Sequence, residues 1–293
     1  LPCWPSNPIY EQLVQGEELR EKNINLESRW ADWENVGEIT LKADKDFDHV
    51  ILGISLAALP FICDEKMFDN EKWGLMRDNL QSVQTQASQV WFKPDAKSLD
   101  WGVPGGLIAS FREPLASWAD LSELIPRENW IPDSTNGLFY TTGVMNDGGK
   151  PIPPPTDHAY PDKVTQEVKD RARKTLQDDA QILFPNAVDE NGNFKWDLLA
   201  ADDNQSGEER FNSQYWRANV DPTERYVLTV KDTSQYRLSA DNSEFENLTI
   251  TGTWIQNPLN LSCVEAAAMA GMLASRAITG EPQHIVGEND IPQ

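Results

Sequence analysis

The sequence predicts a mixed α/β fold in which short strands alternate with helices. Apolar runs bounded by polar turns are typical of strands, and one amphipathic stripe is typical of a helix packed on a sheet. Near the C terminus a short strand, a tight turn and a helix follow one another. The predicted elements are strands at residues 37–43, 49–54 and 84–92, a helix at residues 163–183, and the strand, turn and helix of residues 247–278.

The first two predicted strands, residues 37–43 and 49–54, are joined by an acidic turn. After Trp73, helical spacing of Met76, Leu80 and Val83 predicts a helix, and the strand of residues 84–92 comes next.

The middle of the chain begins with a stiff connector at residues 150–155, where four of six residues are proline. An amphipathic helix follows at residues 163–183. Asn191 and Gly192 then stand between two apolar pairs, which predicts a hairpin turn. Residues 201–210 are polar and acidic, and we expect them to form a surface loop.

The closing helix is predicted from its end signals. Ser262 and Glu265 match a capping box, and Gly280 followed by Pro282 is a stop signal. Small residues recur along this helix at a spacing of three and four. Periodicity alone allows either a tightly packed core helix or the close approach of a flat ligand. The small residues are Ala266, Ala267, Ala270, Gly271 and Ala274.

Composition narrows the class of protein. The chain has 293 residues and a net charge of −22, which argues against nucleic acid or an anionic membrane as a partner. We expect no membrane span, because no window holds 18 apolar residues. The three cysteines are widely spaced, and neither they nor the three histidines have metal-ligand spacing. We therefore expect a cytoplasmic protein without a metal site.

The closing segment resembles the C-terminal flavin motif of the FAD-dependent amine oxidoreductases, which include flavin amine oxidases and phytoene desaturase-like enzymes. The matching residues are Asn247, Leu248, Gly252, Trp254, Val264, Glu265, Ala266, Ala267, Ala270, Gly271, Ala274, Ser275 and Ile278. Residues 49–60 and 84–92 also resemble segments of that family. Thr253 stands where the family usually has an acid, and Thr85, Gln86 and Ala87 stand where many amine oxidases place a lysine.

The resemblance implies FAD as cofactor and a Rossmann-like flavoprotein fold, of which this chain is the C-terminal part with an inserted substrate domain. No G-x-G-x-x-G fingerprint is present, so we expect an N-terminal FAD-binding half from the same precursor or a separate chain. Residues 1–64 and 214–293 would belong to the FAD-binding domain, and residues 65–213 to the substrate-binding domain. The residues expected at the flavin are Gly252, Thr253, Trp254, Asn260, Leu261, Ser262, Cys263, Val264 and Glu265.

The resemblance further implies oxidation of an amine, amino acid or similar small organic substrate by hydride transfer to flavin. Candidate substrate-cavity residues are Gln86, Tyr215, Trp216 and Tyr226, of which the three aromatic residues could instead be ordinary core. No catalytic base can be assigned, and a homo-oligomer remains open. Two alternatives stand beside this hypothesis: a non-catalytic partner subunit that completes a flavoprotein, and a polyene desaturase or isomerase of the same fold.

Overall fold

The structure is a computed structural model that describes residues 7–128, 135–147 and 149–289. It is a mixed fold of helices and sheets, as the sequence predicts. The helices are α1 (Gly16–Glu21), α2 (Leu59–Ile62), α3 (Glu71–Asn79), α4 (Tyr160–Leu183) and α5 (Val264–Thr279). The strands are β1 (Val50–Leu52), β2 (Gln81–Phe92), β3 (Leu107–Ile108), β4 (Ser117–Asp120), β5 (Gly137–Met145), β6 (Tyr215–Asn219), β7 (Tyr226–Leu228) and β8 (Leu248–Ile250).

The larger sheet is antiparallel and is built around the long strand β2. One edge of β2 pairs with β5, which pairs in turn with β4, and β4 pairs with β3. The other edge of β2 pairs with β7 through residues 81–83 and with β6 through residues 85–89. Residues 83–88 of β2 are all buried, including four polar side chains. Because successive side chains point to opposite faces, the sheet is covered on both faces here.

Helix α4 packs on this sheet through the stripe that the sequence predicts. Val168, Ala172, Leu176 and Ala180 are buried at helical spacing, in contact with apolar residues of the sheet. The main core lies between helix and sheet and is rich in aromatic rings, with Phe184 central among Phe92, Phe139 and Trp101. This packing determines which face of α4 lies against the sheet.

The second sheet consists of two parallel strands, β1 and β8, which lie almost 200 residues apart in the chain. Helix α5 follows β8 and packs on it, with Ala270 and Ala274 in the same core as Ile250 and Trp254. Trp73 of α3 joins this core and is fully buried. Because the strands are parallel, their carboxyl ends lie at the same end of the pair.

Several predicted elements differ from the structure. Residues 37–43 form no strand, and the prediction is wrong because Ile39 and Leu41 are exposed and find no sheet to join. Helix α3 ends at Asn79, and Val83 belongs to β2. The predicted hairpin at Asn191 and Gly192 is a turn closed by a single bridge between residues 188 and 194.

The polar segment of residues 201–210 is not wholly a surface loop. Arg210 is buried, and its guanidinium donates to the carbonyl oxygens of Leu199 and Gln205 at 2.7 and 2.8 Å. The connector of residues 150–155 has neither helix nor strand, as predicted. Within the described ranges, no helix combines the length and apolar character needed to cross a bilayer.

Candidate functional site

Two neighbouring cavities carry most of the predicted site residues. The first, called the helix-end cavity, has a volume of about 430 Å³. It lies beyond the carboxyl ends of β1 and β8, where ligands bind in open α/β sheets, and at the start of α5. Its lining residues are Gly53, Ser55, Thr223, Glu224, Arg225, Tyr226, Gly252, Thr253, Trp254, Ser262, Cys263, Val264 and Ala267.

The turn after β8 is shaped by Gly252 and Trp254. Gly252 has φ +117°, a conformation that L side chains rarely adopt, and an added Cβ would lie 2.9 Å from Nε1 of Trp254. The same Nε1 donates to the carbonyl oxygen of Ile54 at 3.0 Å, so the indole ties this turn to the segment after β1. The turn therefore requires glycine, and Gly252 presents only backbone to the cavity that it lines.

The approach to α5 is fixed differently from the predicted capping box. Cys263, not Ser262, is the N-cap residue, and its Sγ accepts from the backbone amide of Ala266 at 3.3 Å. Ser262 instead binds β7, because its Oγ accepts from the amide of Val227 and donates to the carbonyl of Val227, both at 3.1 Å. Because its hydroxyl forms these two hydrogen bonds with β7, Ser262 does not cap α5. Gly280 ends the helix with φ +80°, as predicted.

A buried arginine holds the loop between β8 and α5. Arg237 donates to the carbonyl oxygen of Thr253 at 2.7 Å, and to the carbonyl of Asn260 and the hydroxyl of Thr229 at 3.3 Å each. Burial lowers the pKa of Arg237 from its ordinary value. These bonds hold both ends of the segment from Thr253 to Asn260, which leads to the start of α5.

The start of α5 combines a helix dipole with polar side chains. The helix dipole gives this end partial positive charge, which favours an anionic or electron-rich group, although the amides of Glu265 and Ala266 are already bonded to the Glu265 carboxylate and to Cys263 Sγ. Thr253 and Ser262 bring their hydroxyl oxygens to within 3.3 Å of each other beside it. The pKa of Glu265 is lowered, first by its bond to its own backbone amide and then by Cys263. The carboxylate at the helix start is therefore ionised at neutral pH.

The second cavity, called the sheet cavity, is larger, at about 990 Å³. It opens between β2, the end of β5, the turn at residues 113–114 and helix α4. Charged, polar and apolar side chains share its wall. The lining residues are Gln81, Ser82, Val83, Gln86, Glu113, Pro114, Val144, Met145, Asn146, Asp147, Gly149, Lys150, Arg171, Arg225 and Leu228.

Gln86 organises the wall of the sheet cavity. It is fully buried, and its Nε2 donates to the carbonyls of Pro114 and Val144 at 3.0 and 3.4 Å. With both amide protons used, its Oε1 accepts from Nη1 of Arg171 at 2.9 Å. Gly143 allows this arrangement, because a Cβ there would lie 1.9 Å from the carbonyl oxygen of Pro114.

Arg225 is shared by the two cavities, since it lines both of them. Its side chain is 5% exposed and forms an ion pair with Asp147, while its backbone carbonyl accepts from the hydroxyl of Ser55 at 3.2 Å. The two cavities are thus immediate neighbours.

The structure brings together six of the residues predicted to contact flavin: Gly252, Thr253, Trp254, Ser262, Cys263 and Val264 line the helix-end cavity. Asn260, Leu261 and Glu265 do not line it. Of the predicted substrate-cavity residues, Gln86 lines the sheet cavity and Tyr226 the helix-end cavity. Tyr215 and Trp216 line neither, and Trp216 stacks on Phe211.

Three arginines of the site were not predicted. Arg171 had a readable signal, since it lies three residues after Val168 on the inner side of the helix stripe. Arg225 and Arg237 had none, because their partners Asp147 and Thr253 come from distant parts of the chain. In the described part of the chain, no group of three or more His, Cys, Asp or Glu side chains is placed to hold a metal ion.

Comparisons with known proteins leave the family unassigned. No protein-family model matches the sequence, and no curated protein matches it. Among the solved structures that match is one described as an oxidoreductase from Methanosarcina mazei, with 12% identity and a TM-score of 0.46. The match covers 81% of this chain and 44% of that one, so the chain spans less than half of its length. A likeness of this size assigns neither fold nor activity.

Proposed function

We propose that the chain is the C-terminal part of a FAD-dependent oxidoreductase with a Rossmann-like flavin domain. It would oxidise an amine, amino acid or similar small organic substrate. The observation that carries this proposal is the convergence of two distant segments. Residues 49–60 and 247–278 each resemble amine-oxidoreductase motifs, and both contribute walls to the helix-end cavity.

The residues of the helix-end cavity fit one end of a flavin. Gly252 presents only backbone to the cavity, and the dipole of α5, partly offset by the ionised Glu265, favours an electron-rich ring. The Thr253 hydroxyl can donate to a ligand oxygen, a weaker bond than the one a carboxylate at this position would form with a ligand hydroxyl. The volume of about 430 Å³ lies within the usual range for small-molecule sites.

The rest of FAD needs a second binding element. The chain has no G-x-G-x-x-G fingerprint for the pyrophosphate, so the proposal includes an N-terminal FAD-binding half as partner. Val264, which lines the helix-end cavity and is 81% exposed, gives the cavity an apolar rim that such a half could cover.

When bound, flavin supplies the hydride-accepting chemistry. The chain would contribute position and electrostatics: Gly252 would permit close approach, the dipole of α5 would favour the electron-rich ring, and Arg237 holds the connecting loop. The sheet cavity, which shares Arg225 with the helix-end cavity, is the place we assign to the substrate. Its arginines disfavour the alternative of a polyene substrate, which needs an apolar tunnel.

The flavin content of two matched variants tests the proposal. Ala267 lines the helix-end cavity and Ala268 does not, yet both are exposed neighbours on α5. We expect the wild type and Ala268→Trp, each purified with the N-terminal half, to show the visible absorption of bound flavin. Ala267→Trp should lose it, because the indole fills the cavity. Absence of flavin from every preparation, or equal flavin in both variants, would contradict the proposal.

The same purification separates the remaining alternative. A non-catalytic partner subunit would still fold and bind the N-terminal half. It would leave the flavin content unchanged when Ala267 is replaced, because the chain itself would not contact the cofactor.

A further inference from the structure

We propose that the sheet cavity binds its ligand by a carboxylate group, which pairs with the guanidinium of Arg171. This inference deepens the proposed function and rests on it, since it narrows the substrate class from amines in general to amino acids or other small organic carboxylates.

The first ground is the way in which Arg171 is held. Its Nη1 donates to Gln86 Oε1 at 2.9 Å, and Gln86 is a neutral amide with 0% exposure. A neutral acceptor orients a guanidinium without cancelling its charge. The two amide protons of Gln86 are taken by the carbonyls of Pro114 and Val144, so its oxygen has one fixed direction.

The second ground is the hydrogen-bonding capacity that Arg171 retains. A guanidinium has five N–H donors in a fixed fork. Besides Gln86, Arg171 donates through Nη2 to Glu167 at 3.0 Å, an i,i+4 pair in which Glu167 is 48% exposed. Exposed pairs of this kind are weak. Donors therefore remain for a carboxylate, the group that matches the fork.

The third ground is the balance of charge around the cavity. Arg225 and Asp147 form an ion pair and largely compensate each other. The lining as a whole holds three cations, Arg171, Lys150 and Arg225, against two acids, Glu113 and Asp147. Glu167 also pairs with Arg171, but it lies outside the lining and is 48% exposed, where such a pair is weak. The lining side chains therefore do not share the negative balance of a chain of net charge −22.

The size and remaining wall of the cavity indicate the rest of the ligand. A volume of about 990 Å³ is at the upper end for small-molecule sites. Val83, Val144 and Leu228 line it alongside the charged groups. A carboxylate with an apolar side chain therefore suits the cavity better than an inorganic anion.

Calorimetric titration with phenylacetate and with phenylethylamine tests the inference without any need for flavin. We expect the wild-type chain to bind phenylacetate and to bind phenylethylamine at least about tenfold more weakly. The matched variants are Arg171→Gln and Arg173→Gln, since Arg173 lies on the same helix, pairs with exposed Glu208 and does not line the sheet cavity.

Arg171→Gln should weaken phenylacetate binding at least about tenfold, the lower range for loss of a charged hydrogen bond, whereas Arg173→Gln should not change it. Arg171→Lys keeps the charge, so its affinity for phenylacetate should lie between those of the two glutamine variants. Equal binding of acid and amine by the wild type would overturn the inference even if a variant failed to fold. So would no phenylacetate binding, or equal affinities in the two glutamine variants. Flavin content is a separate readout, so a flavin-free chain that still binds phenylacetate would contradict the proposed function alone.

Discussion

Replacing Arg237 by methionine tests the role of the buried arginine in holding the loop before α5. Arg237→Met keeps an unbranched apolar stem but removes the donors to Thr253, Asn260 and Thr229. The bond to the carbonyl of Thr253, at 2.7 Å, is the strongest of the three. The carbonyl of Asn260 keeps a second donor, the hydroxyl of Thr229, so its loss is smaller.

The expected destabilisation follows from these contacts. A hydrogen bond from a charged donor contributes about 1.5–3 kcal/mol, and the two longer bonds add less. Burying the charge of Arg237 costs free energy, and this cost also lowers its pKa. Removing the charge therefore offsets part of the loss. We therefore expect the free energy of unfolding to fall by about 2–3 kcal/mol.

Urea unfolding measures this change through the transition midpoint, provided that the slope m is unchanged. Arg173→Met is the control, because Arg173 forms an exposed ion pair with Glu208, and such pairs contribute about 0–1 kcal/mol. If the two variants unfold within about 0.5 kcal/mol of each other, the loop does not depend on Arg237 as the contacts indicate.

Two further predictions follow from individual contacts. Gly143→Ala places a Cβ 1.9 Å from the carbonyl of Pro114 and should cost at least about 1–3 kcal/mol in urea unfolding. A Cβ added at Gly271 would have no atom within 4 Å, so Gly271→Ala should stabilise α5 by about 0.5–1 kcal/mol. If both variants were destabilised, or neither, this reasoning would be refuted. Burial raises the pKa of the Asp221 carboxyl in the folded protein. Such a carboxyl contributes most to the stability of the fold when the pH is below its pKa in the unfolded chain, about 3.9. Relative to Asp221→Asn, the wild type should therefore lose unfolding free energy as the pH rises through the folded pKa, and a constant difference across that range would contradict this.

The sequence pattern predicted those elements that are specified by residues close together in the chain. The stripe of α4 was found because its periodicity reflects the face that it buries. Strand β2 has no such periodicity, since it buries polar and apolar side chains in succession. Gly252 and Gly280 were found because each needs positive φ. The predicted strand at residues 37–43 was wrong, because a β-like pattern forms a strand only where a neighbouring edge is free.

The site was less predictable because its contacts are distant in sequence. Ser262 matched a local cap, yet its hydroxyl binds Val227, 35 residues away. Gln86 was predicted as a cavity residue only from the resemblance. Its partner Arg171, 85 residues further on, could not be paired with it from spacing. Tyr215 and Trp216 illustrate the opposite case, in which aromatic residues near a predicted site line neither cavity.

A crystal structure of the protein with its N-terminal half and FAD tests the central claim most directly. The account predicts that the flavin ring lies in the helix-end cavity, in contact with Gly252, Thr253 and the start of α5. A flavin bound elsewhere, away from these residues, or a complex that holds no flavin, would contradict it.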